Sequence, residues 1–240
     1  MADPATPHTR IAGLILAGGQ GSRMQHQDKG LVELNGEPMV AHVVRRLAPQ
    51  VGRVIISANR HLDRYAQYGQ VVADGEPELG AFQGPLVGIA AGLTAAAAEH
   101  DDWLVVTPCD TPFLPDDLAA RLIAAAASAD APLAHAVAGG QHHSACMALR
   151  TTLLPALLEY LRAGDRKVGL WQARMGGVEA RFDETPDAFM NVNTADELAA
   201  AAQYASRHAA AATPAAKQAA KSPATPASGA SRSTAHDPDR

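Results

Sequence analysis

This chain has few cysteines and no excess of positive charge. Its two cysteines, Cys109 and Cys146, form neither a CxxC pair nor a spacing typical of metal ligands. Such low cysteine content argues against a disulfide scaffold and is typical of a protein in a reducing cytoplasm, with both thiols in the core. The formal net charge is −5 at pH 7, which argues against nucleic acid as the main partner. Any anion must therefore be bound by a few local cations.

Long hydrophobic runs are also missing. The uncharged stretch 81–98 is interrupted by glycines, a proline, a glutamine and a threonine. It is too short and too polar to predict a membrane span. Residues 1–10 hold two prolines, an acid and no apolar core, which does not favour a signal peptide. We therefore expect no membrane association.

Apolar segments and helical patterns alternate along the chain. The near-continuous apolar run Ile11–Leu16 is typical of a strand buried on both faces of a sheet. Further strands are predicted at 53–58, 70–73, 103–107, 133–137, 145–149 and, at an edge, 178–182. Helices are predicted at 37–47, 85–98, after Pro115, at 152–162 and 166–175, and from Thr194 to about Tyr204. This order predicts an α/β fold of three Rossmann-like layers, with a mostly parallel central sheet and ligands at the carboxyl ends of its strands.

The composition changes near residue 207. We expect a flexible N-terminus at 1–9, one domain at 10–206 and a disordered tail at 207–240, because the tail is rich in Ala, Pro, Ser and Lys and has almost no large apolar residue. The tail carries five Lys or Arg and two acids, which leaves a charge of about −8 on the rest.

A glycine-rich loop follows the first strand. Leu16-Ala17-Gly18-Gly19 is followed by the cations Arg23 and Lys29. Glycines let backbone N–H groups approach phosphate oxygens, and the cations neutralise the remaining charge. The loop has Met24 where the dinucleotide fingerprint has its third glycine, and it lacks the Walker pattern. It is therefore a different kind of phosphate-binding loop.

This loop resembles the signature of nucleotidyltransferases with a sugar-nucleotide-transferase-like fold. It is most similar to the molybdenum cofactor guanylyltransferases (the MobA family), whose loop reads LAGGxxxRM and is followed by DKG, here Asp28-Lys29-Gly30. The resemblance covers about residues 10–205. It implies transfer of GMP from GTP to the terminal phosphate of molybdenum-molybdopterin, with release of pyrophosphate. It also implies Arg23, Lys29 and Asp110 as catalytic residues.

Two oxygen-bearing side chains are candidate metal ligands. Asp110 follows the core strand at 103–107 and belongs to a Pro-Cys-Asp-Thr-Pro motif. From its position alone it could equally cap the next helix or form an Asx-turn. The resemblance implies that Asp110 binds Mg²⁺ and that Asn193 is a second ligand. Asn193 could alternatively only shape the turn before Thr194.

The resemblance also implies a nucleotide site. Its residues are Leu16, Ala17, Gly18, Gly19, Lys29, Asp74 and Asp110. Asp74 matches an aspartate of the guanosine region, although it could also be an ordinary loop acid. Ser57 stands where the family has asparagine. Its one hydroxyl replaces the two hydrogen-bonding groups of an asparagine side chain, which leaves the contact with the base or ribose open. The segment Gly84-Pro85-Leu86-Val87-Gly88 resembles a loop that borders the nucleotide.

The acceptor site has weaker candidates. His142 and His143 are predicted in a turn between two strands, and Arg166-Lys167 at the start of a helix. The resemblance implies that His143, Arg166 and Lys167 lie near the molybdopterin, whose phosphate and dithiolene are negatively charged. Exposed histidines and a solvated basic helix start are the ordinary alternative.

Several other functions are consistent with the same motifs. A molybdenum cofactor cytidylyltransferase would share the fold and acceptor, but its loop usually has alanine in place of Gly18, and a sugar-1-phosphate nucleotidylyltransferase is usually longer. A non-catalytic nucleotide sensor is disfavoured by the joint presence of Arg23, Lys29, Asp110 and Asn193. We expect a monomer or weak oligomer that contacts cofactor-synthesis or chaperone proteins transiently.

Overall fold

The structure, a computed structural model, describes residues 9–18, 28–74 and 84–219, and for 208–219 the backbone alone. Its largest element is a seven-stranded sheet of order β5-β4-β1-β6-β8-β7-β9. Strand β8 runs antiparallel to its two neighbours, and every other pairing in this sheet is parallel. The predicted mostly parallel sheet is confirmed, with β9 at one edge as expected.

The strands and helices are as follows. The strands are β1 (Ile11–Leu16), β2 (Glu33–Leu34), β3 (Glu37–Pro38), β4 (Arg53–Ser57), β5 (Gln70–Val72), β6 (Trp103–Pro108), β7 (Leu133–Ala138), β8 (Gln141–Arg150) and β9 (Val178–Arg181). The helices are α1 (Met39–Leu47), α2 (Leu62–Tyr65), α3 (Pro85–Ala98), α4 (Leu118–Ser128), α5 (Leu154–Arg162), α6 (Val168–Arg174) and α7 (Ala195–Ala219). A short 3₁₀ turn, Lys29–Leu31, precedes β2.

The core has one hydrophobic cluster on each face of the sheet. Ile15 of β1 packs in a cluster with residues of α1 and α4, whereas Leu14 packs in a second cluster with α3, α5 and α6. Helix α3 comes very close to the sheet, because a Cβ at Gly92 would lie 2.5 Å from Leu14 Cδ2. The alternation of side chains along β1 thus produces the three layers, helices on both sides of one sheet.

Two tight hairpin turns correct the predicted boundaries. Asn35 and Gly36 have φ of 54° and 84° and join β2 to β3, so Pro38 ends a strand and α1 begins only at Met39. Gly139 and Gly140, with φ of 55° and 75°, join β7 to β8. Both are two-residue turns with positive φ at both positions, which suits the twist of a hairpin.

The last helix continues beyond Tyr204, where the sequence predicts its end, to Ala219. Helix is therefore present in the first part of the segment at 207–240, which the composition predicts to be disordered. The contacts divide the chain into two units, with the boundary after Ala202. In the described ranges, no helix combines the length and apolarity that crossing a membrane requires.

Candidate functional site

A cavity of about 390 Å³ opens at the carboxyl ends of β1, β4 and β6. Its lining includes seven residues from the predicted nucleotide segments, Leu16, Gly18, Ser57, Asp74, Gly84, Pro85 and Gly88, together with Asn59, Pro108 and Ala145. Helix α3 begins at this cavity, and its first-turn N–H groups favour an anion. The position matches the crevice expected for ligands of a parallel sheet.

Asp74 is held in place by Asn59. The Asn59 side-chain amide donates to Asp74 Oδ2 over 2.8 Å, and the Asp74 backbone N–H donates to Asn59 Oδ1 over 3.0 Å. A Cβ at Gly18 would lie 3.3 Å from Asn59 Nδ2, and one at Gly88 would lie 2.5 Å from Ser57 Oγ. These two glycines therefore leave space for polar groups that line the cavity.

One cationic side chain and two oxygen-bearing side chains meet beside the cavity. Lys29 Nζ lies 3.5 Å from Asp110 Oδ2 and also donates to Asn193 Oδ1. Along the chain, Asp110 is 81 residues and Asn193 is 164 residues away from Lys29. Asp110 is two residues past Pro108, which lines the cavity, and the Cys109 N–H donates to Leu16 O over 3.0 Å. Three of the predicted catalytic and metal residues, Lys29, Asp110 and Asn193, thus meet near the end of β1, where the predicted nucleotide loop begins.

The start of α7 positions Asn193. Glu197 Oε2 accepts the Asn193 N–H over 2.6 Å, and the Glu197 N–H donates to Thr194 Oγ1 over 3.2 Å. The pattern from Thr194 to Glu197 is that of a capping box, with Glu197 reaching one residue further back than usual. The Val192 N–H donates to Asp110 O over 2.9 Å, which joins this segment to the loop after β6.

Lys29 is positioned by a buried neighbour. Asp28 is buried and accepts a hydrogen bond from the hydroxyl of Tyr65 in α2. A Cβ at Gly30 would lie 2.5 Å from that same hydroxyl, so the Asp-Lys-Gly segment packs tightly on Tyr65. Burial raises the pKa of Tyr65, and the hydroxyl stays a donor to the carboxylate. The residues on both sides of Lys29 thus anchor the backbone that carries it.

Burial dominates the electrostatics of Asp110. It raises the pKa of this carboxyl, and the Lys29 ammonium partly offsets the increase. Both cysteines are free and buried as expected, and burial raises the pKa of Cys146 to about 12. Neither thiol therefore supplies a thiolate nucleophile.

The candidate acceptor residues are placed differently from the prediction. His143 lies within strand β8 and not in a turn, because Gly139 and Gly140 make the whole connection. Its ring stacks on Phe189 with 4.8 Å between centroids, and burial lowers its pKa. Arg166 and Lys167 precede α6, and Arg166 donates to the carbonyl of Leu161 at the end of α5.

Other predicted residues lie outside the described residues or outside the cavity lining. Gly19 and Arg23 belong to the segment 19–27, which the structure does not describe. Ala17 is buried, and its N–H donates to Ser57 O over 2.8 Å. Asn59, two residues after Ser57, has no role predicted from the sequence, and neither have Tyr65 and the contact between Glu197 and Asn193.

Comparison with known proteins gives consistent matches. The profile of a family described as "MobA-like NTP transferase domain" matches residues 13–177. A protein of Burkholderia lata named molybdenum cofactor guanylyltransferase is 46% identical over 210 residues, which is 83% of this chain and 99% of that protein. One of the same name from a Shewanella strain is 43% identical over 188 residues, which is 78% of this chain and 93% of that protein.

Solved structures show the same fold. Molybdopterin-guanine dinucleotide biosynthesis protein A of Archaeoglobus fulgidus aligns with a TM-score of 0.67 at 21% identity, over 82% of this chain and 99% of that one. A 4-diphosphocytidyl-2C-methyl-D-erythritol synthase of Anaerococcus prevotii aligns with a TM-score of 0.61 at 12% identity, over 82% and 99%. At such identities the likeness concerns the fold alone.

Proposed function

Because the chain belongs to the family of MobA-like NTP transferase domains, we propose that it transfers GMP from GTP to the terminal phosphate of a molybdenum-molybdopterin acceptor. The curated relatives that share more than two-fifths of their residues with it carry the name of this activity. The single observation that carries the proposal is that Lys29, Asp110 and Asn193 meet beside the cavity formed by the predicted nucleotide segments.

The reaction requires little proton chemistry from the protein. An oxygen of the acceptor phosphate attacks the α-phosphorus of GTP, the bond to the bridging oxygen breaks, and pyrophosphate leaves with that electron pair. A phosphate monoester is already ionised near pH 7, since its second pKa is about 6, so no general base is needed. Positioning and charge stabilisation therefore supply the rate enhancement.

The residues around the cavity divide these tasks. Lys29 neutralises charge on the triphosphate and the departing pyrophosphate, and the backbone at Gly18 together with the start of α3 receives phosphate oxygens, since the Ala17 N–H already donates to Ser57 O. Gly19 and Arg23 contribute to the same loop in this proposal. Asp74, oriented by Asn59, reads the guanosine. His143, Arg166 and Lys167 face the acceptor.

The donor set at Asp110 and Asn193 fits Mg²⁺. A carboxylate oxygen and an amide oxygen both contact the same ammonium group, so they converge on a position that already holds positive charge. Hard oxygen donors of this kind suit magnesium. When bound, Mg²⁺ would neutralise developing charge on the phosphates. Such a cation would offset the cost of burying the ionised carboxyl of Asp110, whose pKa burial raises.

Calorimetric titration with GTP, CTP and ATP in the presence of Mg²⁺ tests the proposal. We expect clear preference for GTP, followed by pyrophosphate release when the molybdenum-loaded acceptor is added. Preference for CTP would instead indicate a cytidylyltransferase, and binding without turnover would indicate a nucleotide sensor.

Substitution of the converging residues tests the site. Lys29→Ala and Asp110→Ala should each lower transfer by at least about 10²–10³-fold with the fold retained, because each removes a group that stabilises transition-state charge. Arg174→Ala is the control, since its ion pair with Asp165 is exposed. Full activity in either site variant would contradict the assignment.

A further inference from the structure

Three metal-ligating side chains from three strands meet away from the nucleotide cavity. His135 lies in β7, His142 in β8 and Glu179 in β9, and their candidate donor atoms all lie within 4.8 Å of one another. We propose that these side chains form a binding site for a divalent transition-metal ion of the Zn²⁺ class. The proposal does not depend on the activity proposed above.

The sheet register explains why the three side chains share one face. His135 pairs directly with Glu179 across the parallel β7–β9 ladder, and His142 pairs with Val137, two residues beyond His135. Paired residues and residues two apart project on the same side of a sheet. The alternate residues Ala134 and Ala180 belong to the core cluster that includes α4, so the proposed site lies on the face that α4 does not cover.

The distance between the two imidazoles suits shared coordination. His135 Nε2 lies 3.1 Å from His142 Nδ1. Two nitrogens bound to one zinc ion at its usual bond length of about 2.0–2.1 Å lie about 3–3.4 Å apart. A hydrogen bond between the rings accounts for the same distance, and Nδ1 of His135 is buried and without a partner among the described residues in either case. The two rings therefore already stand at the separation that a bound ion requires.

The charges around the pair favour a cation. Glu179 would complete a set of two imidazoles and one carboxylate, because one candidate donor atom of each residue lies within 4.8 Å of the other two. Its Oε1 is the oxygen on the side of His142, 3.9 Å from Nε2 of that ring. Arg181 is the opposing charge, 3.6 Å from the other Glu179 oxygen, but its Nε donates to Asp183 over 2.8 Å. The negative charge of Asp183 therefore offsets the positive charge of Arg181.

Donor chemistry points to zinc, nickel or copper rather than magnesium. Imidazole nitrogen is a good ligand for these ions, whereas Mg²⁺ takes oxygen ligands. Water would fill the remaining positions, since His142 and Glu179 are about half-exposed. A bound ion would join the edge strand β9 to β7 and β8, and we expect it to stabilise this end of the sheet.

Zinc titration of the full chain without nucleotide, and with excess Mg²⁺ to occupy oxygen sites, tests the proposal. We expect one Zn²⁺ to bind per chain at this site and to raise the unfolding temperature. His142→Ala and Glu179→Gln should weaken that binding at least about tenfold, the loss produced by removing even an outer partner of a metal ligand. Both side chains are about half-exposed, so the variants should fold.

A third variant, His135→Ala, removes the remaining proposed ligand. His100→Asn is the matched control at an exposed histidine. Asparagine tolerates the positive φ of position 100. Co²⁺ absorption in the visible region gives a second readout, because nitrogen ligation at this site should disappear in the ligand variants and persist in the control. No zinc binding, or binding that all three ligand variants retain, would overturn the proposal. Neither result bears on GTP transfer.

Discussion

Gly18 shows how one missing side chain shapes the nucleotide cavity. Its ideal Cβ position lies 3.3 Å from the amide nitrogen of Asn59, which is tighter than ordinary contact. A methyl group there would push Asn59 away from Asp74, whose carboxylate depends on that amide. The effect of this glycine on base choice would therefore act partly through a neighbour.

We expect Gly18→Ala to weaken GTP binding by about tenfold, the cost of impairing one hydrogen bond to a charged group. The preference for GTP over CTP should fall at the same time, since Asp74 would be displaced and the methyl would narrow the space for a purine. Paired titrations with the two nucleotides measure both effects. Gly52→Ala is the control, because its Cβ would meet only a carbonyl oxygen at 3.4 Å. An unchanged GTP/CTP ratio would contradict this account.

Asp110 gives a prediction about pH and stability. Burial raises its pKa from the usual 3.8, so the folded chain holds this proton more tightly than the unfolded chain. The free energy of unfolding therefore decreases as the pH rises from the unfolded-state pKa to the folded-state pKa of this carboxyl. At neutral pH the whole cost of burying the ionised carboxylate is present. Asp110→Asn should be more stable than the parent near pH 7, and the difference should shrink on acidification.

Urea unfolding at several pH values measures this difference. Asp165→Asn serves as the control, since Asp165 is an exposed carboxylate. An Asp110→Asn variant that is less stable at neutral pH would show that the Lys29 contact outweighs burial. The expected combination of greater stability with lost transfer is typical of functional groups that are costly to bury.

At the scale of elements, two hairpin turns explain where the sequence reading failed. The Asn35-Gly36 and Gly139-Gly140 pairs are strong signals for two-residue turns. The predicted helix at 37–47 starts directly after the first pair, where the structure has a strand, and His143 is predicted in a turn although the second pair makes the whole turn. The apolar runs of β1 and α3 were predicted within their observed bounds, because burial on both faces leaves a clear pattern.

The site was predictable only in part for a similar reason. Lys29, Asp110 and Asn193 stand in recognisable motifs, and the resemblance to the family predicts that they belong to one site. Asn59 and Tyr65 act on Asp74 and Asp28 through contacts between segments 15 and 37 residues apart. Hydrogen bonds across such separations depend on strand register and helix packing, which no local pattern encodes.

The start of α7 provides a prediction at this scale. Glu197→Ala removes the acceptor of the Asn193 N–H and half of the capping box. We expect a loss of about 1 kcal/mol in the free energy of unfolding and a reduced transfer rate, because Asn193 would no longer be fixed beside Lys29.

Glu197→Gln should restore most of both properties, since its side chain keeps an oxygen acceptor. Thermal unfolding and turnover of the two variants separate capping from charge. Equal loss of activity in Glu197→Ala and Glu197→Gln would show that the negative charge, and not the contact with Asn193, matters.

At the scale of the whole molecule, the candidate site and both main hydrophobic clusters belong to the unit that ends at Ala202. Beyond Tyr204 the sequence contains no Val, Ile, Leu, Met, Phe, Trp or Tyr. A segment of this composition has little apolar surface to bury, even though helix α7 continues to Ala219. Most of the stability should therefore come from the first unit.

A chain that ends at Arg207 tests this division. We expect its free energy of unfolding to match that of the full chain within about 0.5 kcal/mol, the usual range for changes away from packed sites. Nucleotide binding should also be unchanged, because every described residue of the candidate site precedes the cut. Urea unfolding and GTP titration of the two chains give the comparison. A loss well beyond that range would show that the segment after 207 supports the fold, and a loss of GTP binding alone would show that its cations assist an acidic protein in attracting the nucleotide.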